Sequence, residues 1–272
     1  MTKRSPKLVA MLRVKDGMFF LLRWLENIGS LVDEIVVVDN GSTDGTYEHL
    51  QKHPKVISID RTEGFDEGRD KILAYKRAKE RNPDWIIWLD VDEIFEDRMT
   101  RQRVEKMMAS RWITRYFFRR FHLQGDERHF QADRRNLLWI ACPNRVLWKD
   151  QPTGFFLNKR IHNGLIQGIR GLGWPSSIRI RHFVYLDEYN KYVAQKTETY
   201  IQIDPARKEM YIRHRDKRVR TWTWYEYHEH PVLVSLRTML YSTLFLFCFA
   251  LYLIRKYTKR ILGILRHDKS NP

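Results

Sequence analysis

Four short, continuous runs of apolar residues divide the first third of the chain and limit its fold more than any other feature. The runs are residues 8–12, 35–38, 56–59 and 85–89. Between the first two, apolar side chains recur at the spacing of an amphipathic helix, at Met18, Leu21, Leu22, Leu25 and Ile28. Residues 46–52 and 66–81 are also predicted to be helical. This alternation predicts an α/β fold with right-handed crossovers and a parallel sheet covered on both faces.

The length, the cysteines and the charge restrict the setting of the protein. A chain of 272 residues can bury one sizeable core, or a core with an accessory segment. Cys142 and Cys248 match no disulfide or zinc spacing, and no secretion signal is visible, so a reducing cytoplasmic setting is expected. The formal net charge is +16, and residues 201–272 carry half of it, with 14 Lys/Arg against 6 Asp/Glu. An anionic partner is therefore expected at the C-terminal region.

The segment VVVDNGSTDGT, residues 36–46, places Asp39 and Asp44 in a turn after the second apolar run. A strand-to-helix loop explains the small residues, because glycine permits tight turns and Ser42, Thr43 or Asp44 can cap a helix. Such a loop does not require both acids. Neither a Walker-type lysine nor a G-x-G-x-x-G motif occurs here, so the two common phosphate-loop motifs do not apply.

A second acidic cluster, LDVDE at residues 89–93, continues directly from the fourth apolar run. Ligands of open α/β sheets bind beyond the carboxyl ends of the strands, which is where Asp39 and Asp90 are both expected. Carboxylates crowded at one strand end repel one another unless a cation lies among them. Mg²⁺ and Mn²⁺ prefer oxygen ligands and keep positions open for substrate phosphates. Asp90 and Asp92 are therefore predicted to bind a divalent metal ion.

These motifs resemble those of the family 2 glycosyltransferases, over residues 7–95 and more loosely over 110–200. The resemblance rests on Asp39 and Asp44, on Arg69 in GFDEGRDKILAYKRA, and on the D-x-D of Asp90 and Asp92. It implies a GT-A fold, in which a Rossmann-like, mostly parallel central sheet is flanked by helices. It also implies that Asp39 contacts the base or ribose of a nucleotide, and that the D-x-D holds a metal ion bridging the diphosphate. The residues so assigned to nucleotide-sugar binding are Arg13, Asp39, Asp44, Arg69 and Asp90, and those assigned to Mn²⁺ or Mg²⁺ are Asp90, Asp92 and His182.

The middle of the chain carries weaker signals. His182 follows a basic strand, as in family segments where a histidine is an additional metal ligand, and His162 is a second candidate. An inverting transfer needs a carboxylate base that takes the proton of the acceptor hydroxyl. The candidates for this base are Asp126, Glu127, Asp133 and Asp150. Asp126 and Glu127 are preferred because they lie in a glycine-containing loop after a predicted strand, although spacing alone selects none of the four.

The C-terminal region combines basic and aromatic residues with an uncharged segment. Seven Lys/Arg lie between positions 207 and 220, followed by Trp222, Trp224, Tyr225 and Tyr227. This composition suits either single-stranded nucleic acid or anionic lipid headgroups. Residues 238–254 carry no charge over 17 positions, the short limit for spanning a bilayer, and therefore favour the membrane. A helix lying in the membrane surface, a spanning helix and a helix buried in a homo-oligomer all stay open.

We therefore predict a GT-A catalytic domain at residues 1–204 and a basic, aromatic, membrane-associated helical region at 205–272. The expected activity is metal-dependent, inverting transfer of a sugar from a nucleotide-sugar donor to a lipid-linked or cell-envelope glycan acceptor. We expect this activity on the cytoplasmic face of the cytoplasmic membrane, with no nucleic-acid partner. Two alternatives stay open: a nucleotidylyltransferase, and a non-catalytic module on a degenerate transferase fold that binds membrane surfaces or nucleic acid.

Overall fold

The computed structural model describes residues 4–131, 145–161, 164–186, 190–209, 211–212 and 221–223, together with residues 243, 247, 250, 251, 254 and 258. The chain divides into two compact units, the first comprising residues 1–132 with 143–224 and the second residues 133–142 with 225–272. All the strands and helices named below belong to the first unit.

Four strands and three helices alternate at the start of the chain, as the sequence predicts. In chain order they are β1 (Leu8–Val14), α1 (Met18–Leu31), β2 (Glu34–Asp39), α2 (Thr46–Lys52), β3 (Val56–Arg61), α3 (Glu67–Glu80) and β4 (Trp85–Trp88). The strands are parallel and adjacent in the order β4-β1-β2-β3. Their carboxyl ends therefore meet at one edge of the sheet, and the predicted α/β class is confirmed.

Both faces of these strands are buried, which explains why their sequences are continuous apolar runs rather than alternating ones. Leu8 and Leu12 of β1 belong to the core cluster that includes Trp24 of α1. Met11 of the same strand belongs to a second cluster with Ala74 of α3. Each fully buried aliphatic side chain of this kind stabilises the fold by about 1.5–3 kcal/mol.

The first turn of α3 is fixed at the same edge of the sheet by two local features. The Asp66 side chain caps the helix by accepting a hydrogen bond from Arg69 N at 2.9 Å. Gly68 packs against the backbone of Lys159, because a Cβ atom at position 68 would lie 2.5 Å from Lys159 N. The cap and the close approach together hold Arg69 at the beginning of the helix.

The second half of the chain extends the sheet with mainly antiparallel strands. Its elements are β5 (Glu93–Phe95), α4 (Arg101–Met108), β6 (Ile113–Gly125), β7 (His129–Gln131), β8 (Arg145–Lys149), β9 (Leu172–Leu186), α5 (Asn190–Ile203), a 3₁₀ turn (Pro205–Arg207) and β10 (Thr221–Thr223). Strand β8 pairs antiparallel with both β4 and β6, while β9 pairs parallel with β6 and antiparallel with β5. The central sheet is therefore mixed and flanked by helices, with its parallel part in the first four strands.

A buried ion pair fixes β9 beside β5. Glu96 Oε2 lies 2.7 Å from Arg179 Nη2, and these side chains are 2% and 0% exposed. Arg179 N also donates a hydrogen bond to Glu96 Oε1, and Glu96 N donates one to Arg179 O. Removing one partner of a buried ion pair leaves an uncompensated charge, so both side chains are needed here. The pair stabilises the register in which His182 of β9 lies opposite Glu93 of β5.

The predicted C-terminal membrane region is described only in part. Strand β10 pairs antiparallel with β7, so the sheet continues beyond the predicted domain boundary at residue 204. Most of the segment 238–254 lies outside the described residues. Within the part of the chain that the structure describes, no helix has both the length and the apolar character needed to cross a bilayer. Membrane association of residues 205–272 stays a prediction.

Candidate active site

The acids identified in the sequence lie where the parallel strands end. Asp39 is the last residue of β2 and pairs in register with Val14, the last residue of β1. Asp90 follows β4, which borders β1 on its other side. The fold therefore brings Asp39 and Asp90 to one edge of the sheet, the edge at which open α/β sheets bind ligands.

Asp39 is completely buried and organises the loop that follows it. Its carboxylate accepts hydrogen bonds from Ser42 N, 3.1 Å from Oδ2, and from Arg61 Nε, also at 3.1 Å. The Arg61 guanidinium in turn lies over the ring of Tyr47, 4.5 Å from its centroid. The buried carboxylate of Asp39, the half-exposed guanidinium of Arg61 and the ring of Tyr47 are therefore in contact in sequence at the end of β2.

Asp44 connects the beginnings of two helices. Its Oδ2 accepts a hydrogen bond from Met18 N, at the first residue of α1, and its Oδ1 accepts one from Thr46 N, at the first residue of α2. Burial raises the pKa of Asp44, but the hydrogen bonds from Thr46 and Met18 outweigh this effect, so the net shift is downward. Asp44 therefore has a structural task, and the nucleotide contact assigned to it by resemblance stays a prediction.

Asp70, which the sequence analysis did not single out, holds both of the arginines that it did. Its completely buried carboxylate accepts hydrogen bonds from Arg13 Nε and from Arg69 Nε, each at 2.9 Å. Thr62 Oγ1 donates a third hydrogen bond at 3.1 Å. The Arg13 guanidinium also lies 4.4 Å from the centroid of the Phe65 ring. These contacts place two positive groups next to each other beside the ends of β1 and β3.

Two of the acids after β4, Asp90 and Glu93, form ion pairs with arginines from strands distant in the sequence. Arg145 of β8 contacts Asp90 through Nη2 and Glu93 through Nε. Arg120 of β6 donates to Glu93 Oε1 at 2.8 Å, and Asp90 Oδ1 accepts a hydrogen bond from Trp88 Nε1 at 3.1 Å. Burial alone lowers the pKa of Arg145, but Asp90 and Glu93 raise it overall, so its guanidinium stays charged. The predicted divalent metal ion at Asp90 and Asp92 stays a prediction, and the positive charges that the structure shows beside Asp90 and Glu93 are these two arginine side chains.

Asp92 lies beside two histidines that are in contact with each other. Its Oδ2 lies 3.3 Å from His182 Nε2, and both side chains are buried. His182 Nδ1 lies 2.6 Å from Nδ1 of His122, a residue of β6 that the sequence analysis missed. Burial lowers the pKa of both imidazoles.

The pair of Asp92 and His182 fits a divalent cation that also binds phosphate. Carboxylates suit Mg²⁺ and Mn²⁺, and neutral imidazole is the commonest nitrogen ligand of metals. In the described residues, no group of three His, Cys, Asp or Glu side chains is arranged to hold a metal ion. An ion such as Mg²⁺ does not need three, because one or two protein ligands together with substrate phosphates and water complete its coordination.

The preferred base candidates lie in the exposed turn after β6. The carboxylate of Asp126 accepts hydrogen bonds from Arg128 N and from His129 N and Nδ1, and the bond from the His129 ring lowers its pKa. Glu127 pairs with Arg23 of α1, at 2.6 Å between Oε1 and Nη1. Within the described residues, the contacts of Asp126 lie in this turn and that of Glu127 is with α1. The assignment of the base stays a prediction.

Of the other two base candidates and the second histidine, the structure describes only Asp150. Asp150 lies at the opposite edge of the sheet, where its N–H donates to Asp84 O at the beginning of β4. Its carboxylate accepts a hydrogen bond from the Tyr75 hydroxyl at 3.2 Å. Asp133 and His162 lie outside the described residues.

Comparisons with known proteins identify the family to which the chain is similar. A family model described as glycosyl transferase family 2 matches residues 20–166, more than half of the 272 residues. Two curated proteins, one from Mycobacterium bovis and one from Mycobacterium tuberculosis, both named as uncharacterized, are each 30% identical over 98 residues. That match covers 33% of this chain and 24% of each relative, so the chain spans about a quarter of the curated relatives' length.

Two solved structures share a remote similarity with the chain. Residues 1–349 of TarS from S. aureus give a TM-score of 0.44 at 12% identity, covering 76% of this chain and 69% of that one. The mannosyltransferase PcManGT from Pyrobaculum calidifontis, in complex with GDP-Man and Mn²⁺, gives a TM-score of 0.43 at 15% identity, covering 80% and 67%.

Proposed function

Since the chain belongs to glycosyl transferase family 2, we propose that it transfers a sugar from a nucleotide-sugar donor to a lipid-linked or cell-envelope glycan. The observation that carries this proposal is the position of Asp39, Asp90 and Asp92. All three lie within the matched residues and follow parallel strands that end at one edge of the sheet. The matched stretch ends before His182 and begins after Arg13, so their roles rest on their contacts in the structure.

The nucleotide is proposed to bind at the ends of β1, β2 and β3. Asp39 is the candidate for the base or ribose contact, beside Arg61. Arg13 and Arg69 are candidates for contacts with the nucleotide, because Asp70 holds both guanidiniums in fixed positions. Guanidinium groups suit this task because their planar array of donors matches phosphate oxygens.

The diphosphate is proposed to lie beside the acids that follow β4. When bound there, Mg²⁺ or Mn²⁺ would neutralise the diphosphate as it leaves the sugar. Asp92 and His182 are the proposed protein ligands of this ion. Asp90 is proposed to join them or to contact the donor, although its Oδ2 is engaged by Arg145. Arg145 and Arg120 limit the negative charge of the cluster, which favours an anionic donor at this edge.

The reaction is proposed to invert the anomeric configuration, as membership of family 2 implies. Inversion in one step requires a carboxylate that accepts the proton of the acceptor hydroxyl while the oxygen attacks the sugar. Asp126 and Glu127 are the proposed candidates. Asp126 is ionised at neutral pH, since its pKa is lowered by the hydrogen bond from His129.

Asp92→Asn tests the metal assignment most directly. We expect at least a roughly 100-fold lower rate of nucleoside-diphosphate release, since even residues that only support a metal ligand contribute about 10–100-fold in affinity or activity. The rate is measured with Mn²⁺ and a panel of UDP-, GDP- and dTDP-sugars. Asp97→Asn, an exposed acid nearby in the chain, is the matched control and should behave like the wild type. Full activity of the Asp92→Asn enzyme would refute the metal assignment.

Asp126→Asn and Glu127→Gln separate the two base candidates. Removing a general base lowers kcat by about 10²–10⁴-fold, and KM for the donor should change little because neither side chain is assigned to donor binding. Both side chains are exposed, and the pair of Glu127 with Arg23 contributes at most about 1 kcal/mol, so both variants should fold. Steady-state kinetics with an active donor decide between them. Wild-type kcat in both variants would remove both residues from the mechanism.

The membrane proposal rests on the uncharged segment 238–254 and its basic flanks. Leu246→Lys with Phe249→Lys should abolish sedimentation of the full chain with phosphatidylglycerol vesicles, because a lysine in the centre of a membrane helix costs about 2.5–3.5 kcal/mol. The control is the double variant Ile57→Lys with Ile72→Lys. It adds the same two positive charges, at partly exposed apolar positions of β3 and α3. This control should sediment like the wild type. Equal sedimentation of both double variants would exclude insertion of the segment.

A further inference from the structure

Two histidines from neighbouring strands form a close contact beside the proposed metal ligand Asp92. His122 of β6 and His182 of β9 stand opposite each other in a parallel pairing. Their rings are tilted by 56°, with centroids 4.7 Å apart, and the two Nδ1 atoms lie 2.6 Å apart. On its other side, His182 directs Nε2 toward Asp92 Oδ2 at 3.3 Å.

The short distance between the two Nδ1 atoms couples the protonation of the rings. A neutral imidazole carries its proton on one nitrogen and a lone pair on the other. At hydrogen-bonding distance one Nδ1 must donate and the other must accept, since two lone pairs or two protons there would repel. The lone pair of His182 therefore lies either on Nδ1, facing His122, or on Nε2, facing Asp92.

We propose that His122 is a positioning residue that accepts the Nδ1–H of His182 and thereby leaves the His182 Nε2 lone pair free, next to Asp92, to bind a divalent cation. This inference rests on the proposed function, which assigns the cation to Asp92 and His182. Ligating histidines commonly donate their other ring N–H to an acceptor that fixes the tautomer and the orientation of the ring. That acceptor is usually a carboxylate or a carbonyl, and here it is a second imidazole.

The change between the two tautomeric arrangements conserves protons. When the cation binds, the proton on His182 Nε2 is released, and the proton on His122 Nδ1 passes to His182 Nδ1. His122 takes up one proton at its Nε2, which balances the proton released from His182 Nε2. Both rings are neutral before and after, so the buried pair acquires no charge.

Substitutions at position 122 separate hydrogen bonding from packing. Asparagine retains an acceptor, Oδ1, at the position that follows Cγ, whereas phenylalanine retains the ring and loses the acceptor. We expect His122→Phe to weaken Mn²⁺ binding to the full chain by about 10–100-fold, and His122→Asn to bind within about threefold of the wild type. Binding is measured by electron paramagnetic resonance of free Mn²⁺, and His49→Phe, at a histidine of α2 outside the site, is the control.

The outcomes distinguish this inference from the proposed function. Equal Mn²⁺ affinity of the wild type, His122→Asn and His122→Phe would overturn the role of His122 while leaving the metal site intact. Absence of Mn²⁺ binding by the wild type would overturn the metal assignment itself. Should His122→Phe fail to fold, ¹⁵N NMR of the wild-type histidines with Mg²⁺ decides the matter. The inference requires His182 to carry its proton on Nδ1 in the bound form, and a proton retained on Nε2 would refute it.

Discussion

The fold depends on the neutralisation of carboxylates that follow the buried strand β4 at the edge of the sheet. Glu93 is completely buried, and a buried carboxylate costs several kcal/mol unless an opposite charge and hydrogen bonds compensate for it. Arg145 and Arg120 supply that charge from β8 and β6. The antiparallel second half of the sheet is thus linked to the parallel first half by electrostatics as well as by strand pairing. A second buried ion pair joins Glu96, which directly follows β5, to Arg179 of β9 and supports the register of His182.

Local patterns in the sequence predict the parallel strands and the edge at which Asp39 and Asp90 meet, because apolar runs and helical spacing depend only on neighbouring residues. Arg145 and His122 were not predicted, since each reaches the site through pairing between strands far apart in the chain. A usable signal was present in RYFFRRFHL and NRVLWK, where basic residues interrupt apolar strands. A charged side chain within a buried strand implies an opposite charge nearby. The resemblance assigns Asp44 to the nucleotide, and that assignment stays a prediction; the structure shows that the two carboxylate oxygens of Asp44 accept hydrogen bonds from the backbone of Met18 and Thr46.

The edge of the sheet carries two groups of contacts that differ in chemistry. Beside β1 and β3, Asp70 holds Arg13 and Arg69, so this side presents positive charge with its orientation already fixed. After β4, Asp92 Oδ2 and His182 Nε2 lie 3.3 Å apart, and these two side chains are the proposed ligands of a divalent cation. A nucleoside diphosphate would complement both groups. Its phosphates would contact Arg13 and Arg69 directly, and would be joined to Asp92 and His182 through a divalent cation. The ion pair between Arg145 and Asp90 is compatible with a metal ion in this proposal, because the ion is assigned to Asp92 and His182.

The central claim is that a dication and a diphosphate bind to this edge together. Calorimetric titration of the full chain with UDP, GDP and dTDP, each with and without Mn²⁺, tests it most directly. The account predicts that one of these nucleotides binds about 5–150-fold more tightly with Mn²⁺, and that Mn²⁺ binds more tightly by the same factor with that nucleotide, as linkage requires. Nucleotide affinities that are all unchanged by Mn²⁺ would contradict it.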